Sequence, residues 1–146
     1  MHLKLQRKIN IETESQYPVS YYFSKITNAT FEEVLTRVAD ELKKEGFGIL
    51  TEIDVRETLK KKLDVNFRKY KILGACNPPF AYEALQAENK IGVLLPCNII
   101  VQELTDGKVE VAAIDPVQSM QVVGNPTLKV VAEQVQAKLR NVISNI

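Results

Sequence analysis

The chain has 146 residues, 45 % of them hydrophobic and 25 % charged, which are the proportions of one ordinary globular domain with a sizeable core. Its 19 basic and 18 acidic side chains are mixed along the sequence and leave a net charge of +1, so no strong field steers it to nucleic acid or an anionic membrane. The opening MHLKLQRKINIE lacks the apolar core of a secretory signal, and no window reaches the roughly 18 continuous apolar residues of a membrane span. A cytoplasmic location is expected, where the two cysteines stay reduced.

In chain order, Leu3, Leu5, Ile9 and Ile11 alternate with polar residues apart from Arg7, which predicts an exposed or edge strand in an N-terminal extension, residues 1–16. A single domain is expected over 17–146. After Tyr17-Pro18 the alternation of Val19, Tyr21 and Phe23 predicts a strand to Ile26. Thr30 with Glu33 three residues on forms a capping box, and Phe31, Val34, Leu35, Val38 and Leu42 make the apolar stripe of a helix that Gly46 ends. Glu33/Arg37 and Asp40/Lys44 are favourable pairs on its wet side. Phe47, Ile49, Ile53 and Val55 carry the next strand. Asp54 with Glu57 caps a short helix to Leu63, with Val55, Leu59 and Leu63 repeating every four residues, and 64–69 is a loop.

Residues 70–75 then read as a largely buried strand. Asn77-Pro78 is a cap-then-proline helix start, and the helix predicted over 78–88 places Phe80, Ala81, Ala84 and Leu85 on one face. The apolar run 91–95 reads as the returning strand, so the three elements predict a βαβ unit with parallel strands and a right-handed crossover. Cys76 lies six residues after Tyr70 and Cys97 six after Ile91. Matched offsets bring both thiols to the carboxyl-terminal edge of the sheet, where open α/β sheets place ligands. Pro96 predicts a bend, 99–104 a further strand, Asp106-Gly107 a hairpin turn, and 108–114 an antiparallel return that Asp115-Pro116 stops. Residues 117–124 read as irregular. Asn125-Pro126 opens the last helix, whose stripe is Leu128, Val131, Val135, Leu139, Val142 and Ile143. The order β-α-β-α-β-α-β-β-α predicts an α+β domain, a mixed sheet with helices packed on it.

Chemistry is sparse. Three functional classes are open: a small-molecule-binding or regulatory module with Cys76, Asn77, Cys97, Asn98, Glu103 and Asp115 as candidate ligand residues; thiol chemistry with Cys76, before a helix start, as the activated group and Cys97 as its partner; and metal binding through both thiols plus a carboxylate. Against the last two, buried free cysteine most often serves as a small hydrophobe, and the single histidine, His2, is remote. Lys60, Lys61 and Lys62 read as a solvated helix face. Serine-triad, P-loop, paired-carboxylate and dinucleotide patterns are absent from the sequence, and no cofactor is named by it.

The segments FEEVLTRVADELKKEGFGILTEIDVRETLKKKL, YKILGACNPPFAYEAL and IGVLLPCNIIVQE, the turn TDGKVEV and the IDP after it closely resemble small bacterial and archaeal proteins of the domain of unknown function family numbered 302, over about residues 19–143. The family's GACNP motif falls on Gly74, Ala75, Cys76, Asn77 and Pro78, and LLPCN on Leu94, Leu95, Pro96, Cys97 and Asn98. The resemblance implies a compact α+β domain that pairs as a homodimer, and brings no substrate, reaction or catalytic residue. An apolar strand at 99–104, left as an edge in a monomer, leads to the same expectation of a homodimer.

Overall fold

The computed structural model describes residues 20–146. The expected strand of Leu3 to Ile11 and the boundary after residue 16 lie outside the described residues. Strand β1 (Tyr22–Thr27) leads to helix α1 (Phe31–Lys44). Thr30 Oγ1 accepts from the Glu33 N–H at 3.2 Å, and Val34, Val38 and Leu42 are buried on the inner face, with Leu35 only half-buried beside them. Arg37 pairs with Glu33 at 3.8 Å, whereas Lys44 reaches Glu41 at 2.7 Å and not the expected Asp40. Gly46 takes φ of +84°, the left-handed position that lets the chain leave the helix without a side-chain clash.

Strand β2 (Gly48–Asp54) runs into α2 (Val55–Leu63), which starts where Asp54 Oδ1 accepts from the Glu57 N–H at 3.0 Å. None of the residues of α2 is buried. It is held by its cap and by surface ion pairs, Lys61 to Glu57 at 2.8 Å and Lys60 to Asp64 at 2.6 Å. Then come β3 (Tyr70–Cys76), α3 (Pro78–Ala87), a 3-10 turn (Ile91–Leu94), β4 (Cys97–Glu103) and β5 (Val109–Ile114). A short α4 (Pro116–Met120), a second 3-10 turn (Gln121–Val123) and the long α5 (Pro126–Ser144) close the chain.

The strands form one five-stranded sheet in the order β1-β5-β4-β3-β2. The α+β class and the element order are those expected, but every pairing is antiparallel. The parallel βαβ unit is therefore corrected. Residues 91–94 make a 3-10 turn anchored by buried Ile91 and closed by Val93 N–H to Lys90 O and Leu95 N–H to Gly92 O, so this apolar run turns the chain around instead of crossing the sheet. The next strand starts at Cys97, beside the end of β3. A second correction follows, since β4 is the central strand and the edges are β1 and β2. A third concerns 117–124. Asp115 Oδ1 accepts from the Val117 N–H at 3.0 Å and caps α4, and Gly124 at φ +68° ends the turn after it.

The core lies between one face of the sheet and the stripes of α1 and α5. Leu73, Ala75, Cys97, Ile99, Val101, Val109, Val111 and Ala113 project from β3, β4 and β5, and α5 buries Leu128, Val131, Ala132, Val135, Leu139, Val142 and Ile143 against them. The opposite face carries a row in register across all five strands: Ile53, Ile72, Ile100, Ala112 and Ser24.

Candidate functional site

Antiparallel pairing places the last residue of β3 beside the first of β4, with Ala75 opposite Cys97. Both thiols thus reach one edge of the sheet, by a geometry different from the offset argument. Against that edge α3, α4 and α5 enclose a cavity of about 300 Å³. Its wall includes Cys76, Asn77 and Cys97 with Phe47, Leu50, Phe80, Leu85, Met120, Val131 and Val135. Apart from the carboxamide of Asn77 the lining side chains are apolar or thiol. A volume of this order is at the small end of ligand pockets.

Leu50 enters the wall because β2 bulges there. Ile49 pairs with Ala75 and Thr51 with Gly74, so Leu50 is the extra residue between two consecutive partners. A bulge of this kind re-aims a side chain, and Leu50, still 67 % exposed, stands at the mouth of the cavity. Leu85 of α3 is partly exposed on the same lining.

Asn77 is only 8 % exposed. It does not cap α3 with its side chain as its position suggested; Nδ2 instead donates to the Glu45 carbonyl at 3.0 Å, tying the helix start to the end of α1. Cys97 is buried at 8 % exposure, and burial, with Cys76 nearby adding to it, pushes its thiol up to about 11. It is therefore a neutral S–H at physiological pH, and thiolate ligation or attack from Cys97 would first have to meet that desolvation cost. Cys76 is half-buried.

The other three candidates lie elsewhere. Asn98 is exposed on the opposite sheet face, beside a shallow groove it shares with Tyr22, Tyr70 and Gln102. Glu103 stands at the far end of β4, its N–H bonded to the Lys69 carbonyl at 3.0 Å. Asp115 is 4 % exposed and committed to structure: beyond the cap of α4 it accepts from Gln136 Nε2 at 2.9 and 3.0 Å, with Arg140 at 3.8 Å. Among the described residues no three His, Cys, Asp or Glu side chains gather to hold a metal. Of the wall, Val131 and Val135 were marked by the periodic stripe of α5. Leu50 and Met120 had no local signal as wall residues, because a bulge and the tertiary packing of α4 bring them in.

No helix among the described residues is long and apolar enough to cross a membrane. No curated protein matches the chain. A solved structure, titled as the crystal structure of the uncharacterized conserved protein DUF302 from Bacillus stearothermophilus, is similar with a TM-score of 0.81 at 26 % identity, covering 87 % of this chain and 98 % of that one. The family described as "Domain of unknown function DUF302" matches residues 23–146, which takes in all of the sheet but Tyr22, both cysteines and the whole cavity wall, and the chain belongs to that family.

Proposed function

We propose that the protein is a small-molecule-binding or regulatory domain that works as a homodimer, with its ligand in the cavity beside Cys76 and Cys97. The observation that carries this is the cavity itself. Well-packed domains leave few voids, and this one, about 300 Å³ and reached past Leu50 and Leu85, has a wall that is apolar apart from the thiols and the Asn77 amide. Support for pairing comes from the other side of the sheet, where Ile53, Ile72 and Ile100 form an apolar row flanked by Tyr22 and Tyr70.

Native mass spectrometry of gently purified protein tests the first half. A small-molecule adduct that is released on denaturation, and is lost in an Ala81→Phe variant that fills the wall, is the expected result. Protein that carries no adduct and takes up no apolar probe would remove the reading. Sedimentation at micromolar concentration tests the second half, with a two-chain species expected and Ile100→Lys shifting it to one chain.

A further inference from the structure

The cavity's single amide narrows what can enter. Asn77 spends Nδ2 on the Glu45 carbonyl at 3.0 Å, which fixes the carboxamide's orientation. Its Oδ1 accepts no hydrogen bond from the described residues, and α3 begins without it. The one buried side-chain oxygen or nitrogen among the described residues that is both sealed and unpartnered is Thr27 Oγ1, so Asn77 Oδ1 keeps accessible surface although the residue is 92 % buried, being 8 % exposed. A carboxamide oxygen that keeps surface in an otherwise apolar wall and has no protein donor is open to a ligand's hydroxyl or N–H, which takes the place of water there.

We infer that the cavity takes an uncharged, mostly hydrocarbon ligand of about two fused rings in size, carrying one hydroxyl or N–H that donates to Asn77 Oδ1. The size follows from volume: a dry apolar cavity of about 150 Å³ holds benzene, and this one is about 300 Å³. The absence of charge follows from the wall, where no ionised side chain faces the space, so a carboxylate or ammonium would be desolvated without a partner. The single donor follows from Asn77. The inference rests on the cavity being the ligand site, and its test separates the two claims.

Three probes of one shape are titrated against the full chain by fluorescence: 2-naphthol, which donates; 2-methoxynaphthalene, which only accepts; and 2-naphthoate, which is charged. The expected result is 2-naphthol binding about five- to tenfold more tightly than 2-methoxynaphthalene, the size of one hydrogen bond's net worth, with 2-naphthoate weakest. Ala81→Phe abolishes all binding at this site, and Asn77→Leu abolishes the advantage of the hydroxyl. Asn77 also ties α3 to α1, so that variant puts the fold itself at risk; the comparison of the three probes on the unaltered protein decides without it. Equal affinity of 2-naphthol and 2-methoxynaphthalene overturns the donor requirement, and tightest binding by 2-naphthoate overturns the exclusion of charge, each leaving the cavity as a ligand site. Failure of all three to bind overturns the cavity reading itself.

Discussion

Gly74 of β3 and Pro96 before β4 are in mutual contact through the absence of a side chain: a Cβ built on Gly74 would lie 2.7 Å from Pro96 Cγ and would also run into Thr51 Oγ1. Both residues belong to the sequence motifs that frame the cysteines, and their closeness sets how the two strand ends meet. Gly74→Ala must displace the proline ring or the threonine, so a loss of about 1–3 kcal/mol is expected, as for an overpacked core position. Urea unfolding followed by circular dichroism gives the number, and an unchanged midpoint would mean the strand ends yield freely.

Leu42 and Leu35 share one helical stripe but not one environment. Leu42 is 1 % exposed, while Leu35 is only partly buried at the flank of α1. Leu42→Ala should cost about 2–5 kcal/mol, and Leu35→Ala clearly less. The ranking in chemical denaturation is the check, and a reversed order would place the helix with its other face inward.

Timed alkylation at pH 7 distinguishes the thiols. Cys76 is half-buried on the cavity wall and Cys97 buried. With its thiol at about 11, Cys97 is ionised to the extent of only on the order of one part in ten thousand at neutral pH. Peptide mapping should show Cys76 modified first and Cys97 only on unfolding. Equal rates would contradict the burial.

The same group makes stability depend on alkaline pH. Folding raises the Cys97 thiol from the ordinary 9.0 to about 11, so the folded state holds its proton where the unfolded state has lost it. The stabilisation relative to the ionised form is intact below pH 9 and is lost as pH climbs through about 11, a change of up to about 2–3 kcal/mol. Tyrosines and lysines titrate in this range too. The measurement is therefore the difference between the unaltered protein and Cys97→Ala, which should narrow steadily across that window.

Local rules carried the elements well because their causes are local. The caps of Thr30 and Asp54, the left-handed turns at Gly46 and Gly107 and the Asn125 start of α5 each depend on residues within four positions of one another, and the structure shows them. Asp115-Pro116 has the same cap-then-proline form as Asn125-Pro126, yet it reads as a strand stop because it directly follows an apolar strand. The apolar run 91–95 is too short for its period to separate a strand from a helical turn, and that ambiguity decided the pairing direction. At the site, Cys76 and Cys97 do share a sheet edge, but not by the matched offsets: Cys76 ends β3 and Cys97 begins the antiparallel β4. That Asn98 projects from the opposite face, and that Leu50 bulges into the wall, depend on register, which no local pattern states.

Helix α2, none of whose residues is fully buried, gives the domain two timescales. Held by its Asp54 cap, the ion pairs of Lys60 and Lys61, the left-handed Asp64 and the half-buried Val55, Thr58 and Leu59, with no fully buried anchor, its amides exchange with solvent through local fraying. Those of β4, paired on both sides at the centre of the sheet, wait for the whole domain to open. Salt weakens exposed ion pairs and leaves apolar packing intact. Raising ionic strength therefore speeds deuterium uptake in α2 while β4 keeps its clock, so the segment between β2 and β3 can melt and re-form many times during the life of one folded molecule.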